Sequence, residues 1–328
     1  MPQHHFVPQT YLRGFASDDD ADRIYFYDRR IADKGVNKRL IEDVCSQNNL
    51  YRLLMDDGTL KDDLEDTFAT IAEPTFKAIV TKLLNKQALT YEEKSEFAAY
   101  ISLQIMRVPA SREVYNAMAT EFWDSASKEQ WKKLLDDTER EKVYKQMYEE
   151  TGVDVSALSK EDIQGIIDGT KFKTEWTIPK ENWVKDTMEN MAMIFRAFER
   201  MHWRVYFAPK GCAFITSDNP VGVLIPMSDG WSAGTGFLVR GSIRFFPLSK
   251  RACLTITDDE PAGFSFVNAT KSRTQQINGV TAVSHHNVLL AHNQQLLERS
   301  LKRIPEGFNF TEAVKKHQVE QVKMGMFD

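Results

Sequence analysis

The apolar pattern of this chain changes period sharply after His202. Before it, from about residue 60 to 200, apolar residues recur at the three- and four-residue spacing of helices that bury one face. After it come short runs rich in β-branched and aromatic residues, separated by turn residues, which read as strands. Helices and strands kept in separate stretches point to an α+β fold rather than a doubly wound α/β one. Neither GxGxxG nor GxxxxGK[ST] occurs, so neither Gly-rich phosphate loop of the α/β nucleotide binders is present.

Within the helical block, LTYEEKSEFAAYISLQIMRVP (89–109) is the clearest helix. Thr90 is an N-cap, Glu93 completes a capping box, and Phe97, Ile101 and Ile105 form the apolar side. Pro109 ends this helix or opens the next. Leu64, Phe68, Ile71, Phe76, Ile79 and Leu83 predict an earlier helix over 60–84, bent at Pro74. Further helices are expected over 111–123, 127–150, 159–169 and 181–200. Strands are expected over 23–29, 203–207, 212–224, 242–249, 252–257 and 287–293, with a helix from Gln294. The expected fold is one large α+β domain over 1–308. It has an N-terminal irregular or strand segment, a central mainly helical block at about 60–200, and a mainly antiparallel sheet at about 202–293 with closing helices. Residues 309–328 form a helical or frayed tail.

The N-terminal stretch HHFVPQTYLRGF (4–15) is too apolar for a tail. Phe6, Val7, Tyr11, Leu12 and Phe15 can anchor it, at roughly 1.5–3 kcal/mol for each large side chain fully buried. Adjacent side chains of an extended segment point to opposite faces, so His4 and His5 are expected to do different jobs. Either is a natural acid or base near neutral pH; the structural alternative is a satisfied core or surface residue. In FITSDNPVG (214–222) four small polar residues and a proline follow an apolar run. Asp218 could serve as base or ligand and Asn219 could bind substrate; an Asx-turn is the alternative. Arg107 either clamps an anion or forms a buried strut with Glu73, and Gln104 beside it needs a partner. Glu65 and Glu73, eight residues apart, share a helix face unless Pro74 rotates them. Ser284, His285 and His286 precede the last strand, but Ser217 lacks the GxSxG elbow of a hydrolytic triad and HExxH is absent. Cys45, Cys212 and Cys253 are too scattered for a cysteine zinc site or a disulfide framework.

Taken together these segments resemble the bacterial DUF4238 family. The likeness is carried by HHFVPQTYLRGFA (4–16), VCSQNNLY (44–51), Glu65 and Glu73, QIMRVP (104–109), FITSDNPV (214–221), PLSKRACLTI (247–256), Asn278 and SHHNVLL (284–290). It spans residue 4 to about 293. The resemblance implies no particular reaction. It does single out His4, His5, Asp218 and Asn219 as a set that could converge.

The leading expectation is a hydrolase acting on a phosphodiester or another nucleic-acid-related substrate. A histidine, His4 or His5, would act as acid or base, Asp218 with Asn219 would orient, and Arg107 would neutralise developing charge. A divalent metal is left open, with Glu73, Asp218 and His5 as candidate ligands; no other cofactor is indicated. The alternative is a recognition or regulatory protein that binds a partner through its helices. The net charge of −5 does not indicate nucleic-acid binding, although Arg29, Arg30, Lys34, Lys38 and Arg39 cluster locally. No run approaches the ~18 apolar residues of a membrane span. MPQHH lacks the basic and apolar regions of a signal peptide, so the cytoplasm is the expected location.

Overall fold

The computed structural model describes residues 3–48, 50, 53–54, 60–61, 73–171, 175–228 and 230–323. Its early strands are β1 Gln3–His5, β2 Arg23–Asp28, β3 Asn37–Leu40, β4 Ser46–Asn48, β5 Leu53–Leu54 and β6 Leu60–Lys61. The later strands are β7 His202–Phe207, β8 Thr216–Ser217, β9 Gly222–Met227, β10 Gly230–Ala233, β11 Ile243–Ser249, β12 Ala252–Thr257, β13 Gly263–Asn268 and β14 Val288–Ala291. The α-helices are α1 Gln9–Leu12, α2 Glu73–Leu84, α3 Tyr91–Met106, α4 Pro109–Lys133, α5 Arg140–Thr151 and α6 Lys160–Ile167. They continue with α7 Lys180–Phe198, α8 Lys271–Ser284, α9 Gln294–Leu301 and α10 Phe310–Lys323. This is the expected mixture, with a helical block between a strand-containing N-terminal part and a C-terminal sheet with flanking helices.

The chain divides into two compact units, residues 1–113 with 180–314 and residues 114–179 with 315–328. In the first unit a six-stranded sheet runs β10-β9-β11-β12-β7-β13, antiparallel except for the parallel pair β13 and β7. Consecutive residues of a strand face opposite sides. Phe245 packs with Phe214, Ile277 and Val280 beneath α8. Its neighbour Phe246 faces Tyr11, Phe97 and Tyr100. Burial on both faces is why all six residues of β12 are buried and why its sequence does not alternate. Pro247 cannot donate to a neighbouring strand, and the β11–β12 register shifts between Pro247 and Ser249.

The N-terminal segment is core, as its sequence predicts. Val7, Leu12 and Phe15 are fully buried, and Tyr11 stacks on Phe246 with ring centres 5.3 Å apart. The Tyr11 hydroxyl shares a 2.6 Å hydrogen bond with Thr216 Oγ1. Gly14 lies so close to the β11–β12 turn that a Cβ would stand 3.2 Å from the Leu248 carbonyl oxygen. A second sheet, β3-β2-β14-β8, shares a core of Ile215, Ala282, Leu289 and Leu297 with α8 and α9.

The capping box of Thr90 and Glu93 forms as expected, and a second one joins Ser159 to Asp162 at the start of α6. Several boundaries differ from the sequence reading. The described part of the first long helix is Glu73–Leu84, which includes Pro74. Leu64, Phe68 and Ile71 lie outside the described residues. The stretches 111–123 and 127–133 are one helix opened by Pro109. The strand expected over 212–224 is broken by the Asp218–Pro220 turn into β8 and β9.

The second unit has its own core of Leu134, Val143, Val155 and Ile163. Among the described residues no helix is long and apolar enough to cross a membrane.

Candidate functional site

Asp218 is the hub from which the site is built. It follows β8 and is almost fully buried. One carboxylate oxygen accepts the His286 amide at 2.9 Å; the other accepts the amides of Asn287 and Val288 at 2.8 and 2.9 Å. Its own amide donates to the Val288 carbonyl at 3.0 Å. Burial pushes the carboxyl up from its ordinary value, and His286 and the three amides only partly offset this. Asn219 closes the same junction from the other side, its Nδ2 donating to the Ser284 carbonyl at 2.9 Å at the end of α8. Two polar turns, SDNP after β8 and SHHN before β14, are therefore clamped together. The local turn bond is made by Ser217, whose Oγ accepts the Asn219 amide at 3.2 Å; the side-chain bonds of Asp218 and Asn219 instead reach about 65 to 70 residues along the chain.

The clamp sets the adjacent histidines His285 and His286 against different cavities. His286 lines one of about 620 Å³. Phe6, Phe26 and Val44 form its apolar buried lining; Asp28, Cys45 and Asp218 are the buried polar groups beside them. Arg30, Arg39, Asp43 and Glu113 are exposed and form its rim. His286 Nδ1 is 2.8 Å from Thr311 Oγ1, and its Nε2 is 3.2 Å from Glu113 Oε1. The imidazole is 9 % exposed and the Glu113 side chain 45 %, so the carboxylate can turn away while the ring stays in place.

Around this pair the charges are ordered. Arg30 grips the Asp28 carboxylate, with Nε to Oδ1 at 2.9 Å and Nη2 to Oδ2 at 2.6 Å. Burial alone would raise the Asp28 carboxyl, but the Arg30 bonds and charge outweigh it and hold it below the usual range. Cys45 has a left-handed backbone, φ +55°, a conformation that costs a non-glycine residue energy. Burial, reinforced by Asp218 and Asp28, pushes its thiol well up, so it is a poor nucleophile at neutral pH.

The residues singled out from sequence are placed differently from one another. His4 is buried opposite Gln47 in the β1–β4 pair, and half-buried His5 is opposite Ser46. They differ, as alternation requires. His5 Nε2 lies 3.0 Å from the Glu42 carbonyl oxygen and 3.3 Å from Gln9 Nε2. Arg107 donates through Nη2 to the His5 carbonyl, and Gln104 Nε2 donates to the Phe6 carbonyl at 2.9 Å. Gln104 thus has the partner its setting demanded. Both side chains grip the backbone of the N-terminal segment. Of His4, His5, Arg107, Asp218 and Asn219, only Asp218 lines the 620 Å³ cavity. The side chains of Glu65 and Glu73 lie outside what the structure describes. Among the described residues no group of three His, Cys, Asp or Glu side chains is arranged to hold a metal ion.

Several residues of the cavity escape sequence reasoning. His286 stands out in the SHHN motif, but its pairing with Glu113 does not. Glu113 is one acid among many on polar helices. Arg30 belongs to a basic cluster that reads as a solvated loop; its bond to buried Asp28 is visible only in three dimensions.

The family model described as Protein of unknown function (DUF4238) matches residues 3–295. No curated protein and no solved structure matches the chain.

Proposed function

The chain belongs to the DUF4238 family, and from that premise we propose that its first unit is a hydrolase whose acid–base group is His286. The observation that carries this reading is the His286–Glu113 pair opening onto a 620 Å³ cavity with a buried floor. Cavities of this size suit a small molecule. When Glu113 turns aside, His286 Nε2 can take a proton from water as its oxygen bonds to an electrophilic carbon, then return that proton to the leaving group. The bond to the leaving group breaks as it takes that proton, Thr311 Oγ1 holds Nδ1 throughout, and Glu113 returns to Nε2 between turnovers.

The charge of the lining supports one substrate class over another. Asp28, Asp43, Glu113 and Asp218 outnumber Arg30 and Arg39. A phosphodiester entering this cavity meets more acidic than basic side chains. The proposal therefore turns from phosphodiesters to a neutral or cationic carboxylic ester or amide. A second reading, recognition without turnover, is favoured by one observation: both ring nitrogens of His286 have partners.

The test measures turnover of neutral and cationic p-nitrophenyl esters and anilides, with bis-p-nitrophenyl phosphate as the anionic comparison. Wild type should cleave an uncharged or cationic member, and His286→Gln should lose roughly 100-fold or more. Equal turnover in His286→Gln, or preference for the phosphodiester, contradicts the proposal. A ligand-dependent rise in Tm without turnover selects the recognition reading.

A further inference from the structure

His285 and its partner Arg29 line a separate cavity of about 420 Å³, on which the hydrolase reading does not depend. His285 Nδ1 donates to the Ala282 carbonyl at 2.5 Å. That fixes the tautomer, so Nε2 accepts from Arg29 Nη2 at 2.7 Å. The histidine is thus a neutral acceptor and does not balance the charge of the arginine. Nη2 also approaches His285 Nδ1 at 3.4 Å; among the described residues the one bond from elsewhere is a long 3.5 Å contact from Nη1 to the Phe308 carbonyl. Its Nε is buried and has no hydrogen-bond partner among the described residues. Asp28 and Asp218 act on Arg29 only as charges; neither forms an ion pair with it. Asp28 is committed to Arg30 and Asp218 to three backbone amides.

Arg29 is half-buried, and a cation partly withdrawn from water is normally paired, because its desolvation is otherwise uncompensated. Leu301, Ile304, Pro305 and Phe308 give the rest of the cavity a largely apolar lining. One fork-shaped cation beside an apolar wall matches a monoanion with an apolar body. We infer that the Arg29 cavity is a binding site for a small carboxylic acid, its carboxylate on the Arg29 guanidinium and its hydrocarbon part against Leu301, Ile304 and Phe308. A planar carboxylate can accept charge-assisted N–H bonds from the edge of the guanidinium that the cavity reaches. Inorganic phosphate would gain the charge interaction but leave the apolar wall uncovered.

The experiment is calorimetric titration of the full chain with hexanoate, hexanol and inorganic phosphate at low salt. Hexanoate should bind at least about tenfold more tightly than either hexanol or phosphate, a difference of about 1.4 kcal/mol. Arg29→Met should abolish that preference over hexanol, and Arg29→Lys should keep part of it. The inference is overturned if hexanoate fails to bind, if phosphate binds equally well, or if Arg29→Met binds hexanoate like wild type. Should Arg29→Met fail to fold, the wild-type comparison and Arg29→Lys decide the matter.

Discussion

At the residue scale, two histidines adjacent in sequence are given opposite chemistry by their neighbours. His285 is pinned as a neutral base: burial and the Arg29 charge pull its pKa down to about 4. A depressed histidine contributes stability that is fully present above its unfolded pKa near 6.5 and lost as pH falls toward about 4. Wild type should therefore lose roughly 3 kcal/mol relative to His285→Gln across that interval. Urea denaturation of both proteins at pH 7.5 and pH 4 (approximately) checks this; parallel losses would contradict it. Asp218 is a clamp before it is anything else. Asp218→Asn puts an NH₂ among three amide donors and should destabilise the protein by about 2–3 kcal/mol. The same denaturation measurement reads it, and a change below about 0.5 kcal/mol would contradict the clamp.

At the element scale, the N-terminal segment is held from two sides: by core contacts of Val7, Tyr11 and Phe15, and by Arg107 and Gln104 on its carbonyls. Arg107→Met should cost about 1–3 kcal/mol and speed hydrogen exchange of the amides at residues 3–7. Any turnover should persist once the variant is folded, because Arg107 does not line the cavity.

Much at this scale was legible in the sequence. The capping box at Thr90 is a local pattern with a local cause. The apolar spacing of 4–15 demands burial whatever it packs on. What the sequence concealed depends on partners far along the chain. The parallel pairing of β13 with β7 needs a chain crossover that no short motif records. Asp218 reads as a catalytic candidate because its type fits; its three amide donors come from residues 286–288. The cavity draws Phe6, Asp28, Cys45, Glu113, Asp218 and His286 from six separate places in the chain.

At the scale of the whole molecule, both candidate ligand sites lie in the first unit, and the second is built on a core of its own. Ile163 is fully buried there. Ile163→Ala should cost that core about 2–5 kcal/mol. Hydrogen exchange should accelerate in the amides of α5 and α6 while β11 and β12 stay protected. Equal loss of protection in β11 and β12 would show that the two cores do not act separately.

The central claim is that His286, and not His4 or His5, faces the reacting groups. Its most direct measurement is kcat/KM of His5→Ala and His286→Gln, side by side, on the best substrate found for wild type. The account predicts that His5→Ala keeps turnover within about threefold of wild type, while His286→Gln falls roughly 100-fold or more. The reverse ranking would contradict it.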